Sequence, residues 1–327
     1  MTSALILEDL RVSFPSAQGP VSAVDGVCLE LRAGEVLGLV GESGCGKSTL
    51  ANAAMGLLPE STEVSGTVRL GDRELTALDE RSLRRIRGDE IAMVFQDPST
   101  SLDPVWTVGD QVAESIRAHR DVSRREAKDI AVRLMQEVGI PSAEQRYADP
   151  PHRLSGGMQQ RIVIAAALAN DPVVLLADEP TTALDVTIQA QILRLLDDLR
   201  RRRGTAVLLI THDLGVVAQV CDRVAVMYAG QLVEVATTEH VFTSPAHPYT
   251  EALLRAIPGA GEPRSELAVI PGQVPDLAAP PTGCRFAPRC PFGTDVCATR
   301  PALVGDDEQG AVACWHPRNR RTEVTAS

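Results

Sequence analysis

Alternating apolar and polar positions open the chain. Leu5 and Leu7 stand two residues apart, as do Val27, Leu29 and Leu31 further along, and this is the period of a strand with one buried face. The spacing therefore predicts antiparallel strands that cover one side of the fold.

Segments with the length and composition of strands follow, and they alternate with helical periods. The predicted strands are 36–40, 64–70, 91–95, 173–178 and 206–210. Helical spacing runs through 107–138, 162–169 and 188–199, with apolar positions at Ala127, Ile130, Ala131, Leu134, Met135, Val138, Ile188, Ile192, Leu195, Leu196 and Leu199. This alternation predicts an α/β fold around a mostly parallel sheet, which binds ligands at the carboxyl ends of its strands.

Length and charge restrict the number of domains and the kinds of binding partner. The 327 residues suit one large domain with an appendage, or two domains. A net charge of −11 argues against binding to nucleic acid or to an anionic membrane surface. No apolar run approaches the length of a membrane span, and the first residues lack the basic segment of a signal peptide. We therefore expect the chain to stay in the cytosol and to reach a membrane only through a partner.

The stretch GESGCGKST, residues 41–49, fits G-x-x-x-x-G-K-[ST] without a gap. It lies between the strand at 36–40 and a run of good helix formers at 50–55, as a phosphate-binding loop requires. Its glycines let backbone N–H groups converge, and the helix N-terminus adds roughly half a positive charge. In such a loop Lys47 reaches the β- and γ-phosphates and Ser48 coordinates Mg²⁺. The alternative, an accidental Gly-rich turn, is disfavoured by the flanking strand and helix.

Polar side chains stand where several predicted strands end. A buried strand ends in Asp178 and Glu179, and beside a phosphate loop Asp178 would bind Mg²⁺ while Glu179 would polarise water. Gln96 could contact Mg²⁺ and the attacking water, or it could cap its strand. His212 could hydrogen-bond a γ-phosphate, although a lone histidine beside an aspartate is often structural. Solvated loop acids are the alternative for the acidic pair.

A second glycine-opened helix start follows the helical insertion. Ser155, Gly156 and Gly157 precede the apolar helix at 162–169, and such an N-terminus suits phosphate, although Ser-Gly-Gly also serves as an ordinary N-cap. Phe14 lies about thirty residues before the phosphate loop. It could stack on adenine or belong to the core.

The C-terminal segment differs in composition. Residues 258–317 include ten prolines and few periodic apolar positions, so this segment builds little core of its own and needs something to hold it. It contains Cys284, Cys290, Cys297 and Cys314, and clustered thiols in a reducing cytosol suggest a metal before a disulfide. The tight cysteine pairs of zinc sites are absent, whereas a 4Fe–4S cluster tolerates irregular spacing. The residues alone leave a cluster, zinc and free thiols open.

Taken together, these motifs resemble those of the ATP-binding cassette (ABC) ATPases in order and spacing. The resemblance covers residues 4 to about 235 and rests on Phe14, GESGCGKST, Gln96, LSGGM (154–158), LLADEP (175–180), ALD (183–185) and His212. Met158 replaces the commoner glutamine of the family, and Phe14 a commoner tyrosine. The family implies an α/β P-loop NTPase with a mostly parallel sheet core, an antiparallel β subdomain and a helical subdomain, here followed by a small irregular Cys-rich extension.

The resemblance also implies site residues. The ATP contacts would be Phe14, Gly41, Glu42, Ser43, Gly44, Cys45, Gly46, Lys47, Ser48 and Thr49. Each ATP would lie between two subunits packed head to tail, and the residues offered in trans would be Ser155, Gly156, Gly157, Gln159 and Asp185. Mg²⁺ would be held by Ser48, Gln96 and Asp178. Catalysis would use Glu179 as the general base, with His212 and Gln96.

A narrower resemblance rests on longer stretches. They are VFQDPSTSLDPVWTVG (94–109), LSGGMQQR (154–161), LDVTIQAQIL (184–193), THDLGVV (211–217), HPYTEALL (247–254) and the cysteine-bearing end. These are similar to the ATP-binding subunits of dipeptide and oligopeptide importers, a group that includes some nickel importers. The resemblance implies ATP and Mg²⁺ as cofactors and a place at the cytoplasmic face of the cell membrane. The implied partners are a second ATPase subunit (a paralogue or a second copy), two transmembrane permease subunits and an extracytoplasmic solute-binding protein, with no nucleic acid.

Similar cysteine ends in this family can hold a 4Fe–4S cluster, so the resemblance favours a cluster on the four late cysteines over zinc. It also implies a nucleotide-binding domain at 1–257, with a helical subdomain at about 97–165, and an extension at 258–327. A soluble iron–sulfur ABC protein that acts on ribosomes or nucleic acid is the alternative from another class. Such proteins carry two cassettes and a basic surface, whereas this chain has one motif set and a net charge of −11.

Overall fold

A computed structural model describes residues 2–17, 19–181, 185–256, 270–306 and 310–319. The strands, in chain order, are β1 (Ser3–Phe14), β2 (Val21–Arg32), β3 (Val36–Val40), β4 (Glu63–Leu70), β5 (Arg73–Glu74), β6 (Ile91–Val94), β7 (Val174–Asp178), β8 (Ala206–Ile210), β9 (Arg223–Tyr228), β10 (Gln231–Thr237), β11 (Val304–Asp306) and β12 (Gly310–Val312). The α-helices are α1 (Lys47–Met55), α2 (Glu80–Ile86), α3 (Pro98–Ser101), α4 (Val108–Arg117), α5 (Arg124–Glu137), α6 (Ala143–Arg146), α7 (Gly156–Ala167), α8 (Val186–Arg203), α9 (Leu214–Val220), α10 (Thr238–Thr243) and α11 (Pro248–Arg255). Short 3₁₀ turns lie at Pro151–Arg153, Ala287–Arg289 and Asp295–Ala298.

The larger sheet has a parallel centre. Among the described residues its strands lie in the order β11-β12-β10-β9-β3-β8-β7-β6. The five strands from β9 to β6 run parallel to one another, whereas β10, β12 and β11 add antiparallel pairs at one edge. Strands β3, β7 and β8 are buried along their whole length, as is typical of a parallel sheet covered on both faces. The predicted mostly parallel α/β core is confirmed.

A smaller antiparallel sheet covers the phosphate-loop end of the fold, in the order β2-β1-β4-β5. Strands β1 and β2 pair so that Leu7 lies opposite Leu29 and Leu10 opposite Val27, and all four side chains are buried. Their core also receives the apolar side chains of α1. The antiparallel strands that the alternating pattern predicts are therefore confirmed.

Helices α3 to α7 occupy the chain between β6 and β7. The Thr107 hydroxyl accepts a hydrogen bond from the N–H of Asp110 at the start of α4, and Ser123 forms a capping box with Glu126 at the start of α5. Each cap satisfies N–H groups that a helix start leaves unpaired. The predicted helical insertion is confirmed, and these caps divide the period at 107–138 into two helices.

Two predicted strand bounds need correction. Strand β6 ends at Val94, because its pairing with β7 ends there, and Phe95 is exposed. Val173 precedes β7, because the pairing of β7 with β6 and β8 begins at Val174, and Val173 is exposed as well. Phe95 and Val173 each lengthen an apolar run in the sequence by one residue beyond the strand that is paired in the structure.

The C-terminal extension obtains its support from the rest of the chain. Phe286 is 2 % exposed and belongs to the main core, where its ring meets that of Tyr228 edge-on with 5.2 Å between centroids. Strand β12 pairs with β10, with Val312 opposite Glu234. A segment with little core of its own is thus held by a shared core and a shared sheet.

Replacing Phe286 with alanine tests this shared core. We expect Phe286→Ala to lower the free energy of unfolding by about 3–5 kcal/mol, because a buried ring is lost from a packed site. Urea unfolding followed by tryptophan fluorescence and circular dichroism measures the change. Phe292, which is 37 % exposed, provides the matched control, and Phe292→Ala should cost much less. Equal losses for the two variants would contradict the shared core.

Candidate functional site

The phosphate loop, residues 41–49, leaves β3 and enters α1 at the carboxyl edge of the parallel sheet. Gly46 has a φ of +104°, and a Cβ there would lie 2.3 Å from the carbonyl oxygen of Ala23. A Cβ on Gly41 would lie 2.1 Å from the carbonyl oxygen of Met227. Neither position can accept a side chain, so the loop backbone lies directly against β2 and β9.

Lys47 begins α1 and is 6 % exposed. Its ammonium group donates hydrogen bonds to the carbonyl oxygens of Gly41 at 2.8 Å and Glu42 at 3.0 Å. The positive charge is therefore held by the backbone of the loop, beside the free N–H groups of a helix start. Such a place favours an anion.

Asp178 ends β7 and is 5 % exposed. Burial raises the pKa of its carboxyl group, the hydrogen bond from Ser48 and the charge of Lys47 lower it, and the charge of Glu179 raises it further, so that the net shift is upward. Within the part of the chain that the structure describes, Asp178 Oδ1 is buried without a hydrogen-bond partner. A buried carboxylate oxygen without a partner, next to a serine hydroxyl, fits a Mg²⁺ ion, which prefers oxygen ligands.

The carboxylate of Glu179 lies between Gln96 and His212. The Gln96 amide donates to Oε2 of Glu179 at 3.1 Å, and Nδ1 of His212 lies 3.3 Å from Oε1. Glu179 has a φ of +45°, a left-handed conformation that is uncommon for a residue with a Cβ. Its N–H donates to the carbonyl of Ile210 at 2.9 Å. A carboxylate oriented in this way, next to the buried Asp178, can accept a proton from water.

The second glycine-opened helix start is turned to solvent. Ser155 is the N-cap of α7 by position, yet its hydroxyl makes no capping hydrogen bond, and Ser155 and Gly156 are exposed. Gln159 donates its amide to the carbonyls of Pro151 at 2.9 Å and Leu154 at 3.3 Å, so it supports the loop that precedes the helix. Among the described residues, no hydrogen bond joins this turn to the phosphate loop of the same chain.

The remaining predicted site residues have these positions. Asp185 is the N-cap of α8, where its carboxylate accepts from the N–H of Ile188 at 3.0 Å, and Gly157 of α7 packs against the same isoleucine. Residues 183–184 of the ALD motif lie outside the described residues. Phe14 ends β1 and packs against the smaller-sheet core. In the phosphate loop, Ser43 and Gly44 are exposed, Thr49 is half-buried and Cys45 is buried.

Sequence reasoning missed two residues that contact the phosphate loop. Arg289 of the extension binds the Glu42 carboxylate through two nitrogens, at 2.8 Å and 3.1 Å. The Tyr249 hydroxyl accepts the N–H of Glu42 at 2.9 Å. Tyr249 belongs to HPYTEALL, which indicates the family but does not indicate this contact, and no local pattern marks Arg289.

A lysine held in a glycine loop at a helix start, next to a buried aspartate and an oriented glutamate, defines a nucleotide-binding ATPase of the P-loop class. The family model for the ABC transporter matches residues 24–182, and that for the oligopeptide/dipeptide transporter C-terminal region matches residues 233–297. The chain belongs to the ATP-binding proteins of the ABC transporter family, in the oligopeptide/dipeptide branch. It is accordingly an ATPase that uses ATP and Mg²⁺.

Similar proteins and structures agree with this assignment. The probable peptide ABC transporter ATP-binding protein of Sinorhizobium fredii is 51 % identical, over 95 % of this chain and 94 % of that protein. The dipeptide transport ATP-binding protein of Bacillus subtilis is 48 % identical over 100 % and 98 %, and the oligopeptide transport ATP-binding protein of Salmonella typhimurium is 47 % identical over 96 % and 93 %. A dimeric ATP-binding cassette, solved in a post-hydrolysis state with ADP and phosphate, superposes with a TM-score of 0.65 at 29 % identity, over 72 % of this chain and 98 % of that one. The predicted cassette fold is confirmed, and none of these relatives is described as a nickel importer or as acting on ribosomes.

The prediction of a 4Fe–4S cluster on the four late cysteines is wrong. The described residues include all four, and they contain no group of three or more His, Cys, Asp or Glu side chains that could hold a metal ion. Burial raises the pKa of the Cys284 and Cys290 thiols, and that of Cys314 to about 11. Cys284 and Cys290 instead pack against the main core. The same finding gives no support to zinc.

Among the described residues, no helix is both long and apolar enough to cross a membrane.

The variant Asp178→Asn should have opposite effects on the stability of the fold and on metal binding. Folding raises the pKa of Asp178, so above that pKa the ionised carboxylate costs more in the fold than in the unfolded chain. Without nucleotide and in a chelator, Asp178→Asn should therefore raise the melting temperature at neutral pH, and the gain should shrink as the pH falls through the raised pKa. The same variant should lose the Mg²⁺-dependence of ATP affinity.

The exposed N-cap Asp79, whose side chain accepts from the N–H of Ser82, supplies the control. Asparagine caps a helix about as well as aspartate, so Asp79→Asn should leave the Mg²⁺-dependence of ATP affinity intact. Thermal scans with and without chelator and ATP titrations with and without Mg²⁺ measure both effects. An Asp178→Asn variant that is destabilised at neutral pH, or that keeps Mg²⁺-dependent affinity, would refute this assignment.

Proposed function

We propose that this chain is the ATP-hydrolysing subunit of an ABC importer for dipeptides or oligopeptides. The contact of Gln96 and His212 with the two oxygens of Glu179, beside the buried Asp178, carries the proposal for hydrolysis. The names of three relatives that match nearly the whole chain support the peptide cargo.

In this proposal the phosphate loop binds the β- and γ-phosphates of ATP. Lys47 supplies the positive charge, and the N–H groups at the start of α1 supply hydrogen-bond donors. Mg²⁺, when bound, neutralises phosphate charge, and it would be held by Ser48, Asp178 and Gln96. The partnerless Oδ1 of Asp178 supports this ligand set. Phe14, at the end of β1, would stack on the adenine.

Hydrolysis assigns separate roles to the groups around Glu179. Glu179 would take the proton of the attacking water, because its carboxylate lies between Gln96 and His212. His212 would hydrogen-bond the γ-phosphate, and its contact with Glu179 would keep both groups at the reacting end of the ATP. Gln96 would contact Mg²⁺ and the attacking water and would respond to the membrane subunits.

The turn at 155–157 would act on the ATP of a partner subunit. The Ser155 hydroxyl does not cap its own helix, and Ser155 and Gly156 are exposed, whereas Gly157 is half-buried. An exposed helix start with free N–H groups can bind phosphate that arrives from another chain. In a head-to-tail dimer, Ser155, Gly156 and Gly157 would complete the partner's site, with Asp185 near the interface and Gln159 in support of the turn.

The partners follow from this assignment. A second ATPase subunit, either a paralogue or another copy, would complete the dimer, and two permease subunits would carry the peptide across the membrane. An extracytoplasmic solute-binding protein would deliver the peptide, and this chain would be peripheral on the cytoplasmic side. We retain the division into a nucleotide-binding domain at 1–257, with its helical subdomain at about 97–165, and an extension at 258–327.

Glu179→Gln tests the function. In vesicles that contain the assembled transporter, the variant should bind ATP normally but release phosphate roughly 10²–10⁴-fold more slowly, because it lacks the general base. ATP-driven uptake of a labelled peptide should fall in parallel. Glu63→Gln, an exposed change in β4, is the control and should retain both rates. A Glu179→Gln transporter with near-normal phosphate release would exclude Glu179 as the base.

Ser155→Ala tests the action in trans. The isolated chain should keep its ATP affinity and its free energy of unfolding, because this hydroxyl neither touches the loop of its own chain nor caps its helix. The assembled ATPase should lose activity. Ser123→Ala provides the contrast, because Ser123 forms a real capping box and its loss should lower the free energy of unfolding. Loss of ATP affinity in the isolated Ser155→Ala chain would contradict the head-to-tail arrangement.

A further inference from the structure

We propose that Arg289 of the C-terminal extension is a positioning residue for ATP binding, which acts by holding and neutralising Glu42 of the phosphate loop. The inference rests on the proposed function in one respect, namely that this loop binds ATP. It gives the extension a role in the nucleotide site.

The contact is a two-point ion pair between a buried arginine and a partly exposed glutamate. The two terminal nitrogens of Arg289 bind the two oxygens of Glu42 at 2.8 Å and 3.1 Å, and the Arg289 side chain is 5 % exposed. Paired Arg–carboxylate contacts of this kind fix orientation as well as charge. An arginine with this burial would be costly without its partner.

Arg289 is itself held in place by the extension and by β9. Its Nε donates to the carbonyl of Pro271 at 2.9 Å, one terminal nitrogen donates to the carbonyl of Ile270 at 3.3 Å, and the other donates to the Tyr228 hydroxyl at 3.2 Å. These bonds fix the orientation of the guanidinium plane independently of Glu42. The arginine is therefore rigid enough to set the position of a loop.

Glu42 joins Arg289 to the phosphate-binding lysine. Its carboxylate binds Arg289, its N–H donates to the Tyr249 hydroxyl, and its carbonyl accepts from Lys47 at 3.0 Å. Every polar group of one loop residue is thus engaged, two of them by residues outside the loop and one by the lysine. Displacement of Glu42 would also move the acceptor that holds the Lys47 ammonium.

Charge gives the contact a second consequence. Glu42 places a carboxylate in a loop whose ligand is polyanionic, and an uncompensated carboxylate would repel phosphate. Arg289 cancels that charge while its own positive charge stays buried against Glu42. Loss of Arg289 should therefore weaken ATP binding through repulsion, and removal of the Glu42 charge should restore it.

Calorimetric titration of the full-length chain with MgATP tests the proposal. Arg289→Met should raise the dissociation constant on the order of tenfold, as expected for one unit charge near the phosphates at the effective dielectric of a protein surface. The number of sites per chain should stay the same. A merely structural role would lower the number of competent sites and leave the dissociation constant unchanged.

The double variant provides the decisive comparison. Glu42→Gln combined with Arg289→Met should bring the dissociation constant back towards that of the wild type, because the repelling carboxylate is gone. A purely structural anchor predicts that the second change lowers the number of competent sites further and again leaves the dissociation constant unchanged. Should Arg289→Met fail to fold, Arg289→Lys carries the same test, since it loses the two-point contact and should show a smaller rise in the dissociation constant.

Arg285→Met is the matched control. Arg285 belongs to the same extension and is 5 % exposed, but it pairs with Asp25 at 2.7 Å instead of with the loop. Its loss should lower stability and leave the dissociation constant unchanged. Wild-type chain that binds no MgATP would refute the proposed function itself. Wild-type binding with an unchanged constant in Arg289→Met and Arg289→Lys, or with no recovery in the double variant, would refute the role of Arg289.

Discussion

The register of three parallel strands determines where the groups of the site lie. Leu39 of β3 and Asp178 of β7 both lie opposite Ile210 of β8. Beyond the strands, the N–H of Glu179 donates to Ile210 and the N–H of Thr211 donates to Leu39. The phosphate loop, the acidic pair and the histidine therefore leave the sheet at one level. A slip of one residue in β7 would turn Asp178 to the other face of the sheet.

The same edge contains arrangements that the isolated fold does not favour. In the part of the chain that the structure describes, one oxygen of the buried Asp178 carboxylate has no hydrogen-bond partner, and Glu179 has a left-handed backbone. Groups of this kind lower stability unless a ligand compensates for them. A cation on Asp178 and phosphate on the loop would supply that compensation. The groups that would bind MgATP therefore lower the stability of the ligand-free fold.

Local sequence was enough to predict the groups on this edge. The phosphate loop spans nine residues between a strand and a helix, Asp178 ends an apolar strand, and Glu179 and His212 each lie within two residues of a strand end. The strand that precedes each residue in the sequence therefore places it at the same edge of the sheet as the others. The mostly parallel sheet followed from the alternation of strand and helix, although Phe95 extended one apolar run beyond its paired strand.

Long-range contacts could not be predicted in this way. Arg289 and Glu42 are 247 positions apart, and nothing near Arg289 in the sequence indicates an ion pair. The prediction of a metal cluster from the four late cysteines was wrong for a related reason, because buried thiols also serve as small apolar side chains. Spacing alone does not distinguish that use from metal binding. The support that seemed to require a metal comes instead from Phe286, strand β12 and buried arginines.

Amide hydrogen exchange of the purified chain, with and without MgATP, most directly tests whether nucleotide binds at this edge of the sheet. We expect MgATP to slow exchange in peptides that cover residues 41–49, where N–H groups would bind phosphate. Peptides from β4 (Glu63–Leu70), in the other sheet, should be unchanged. Protection in β4 or elsewhere, with no change at 41–49 under saturating MgATP, would contradict the account.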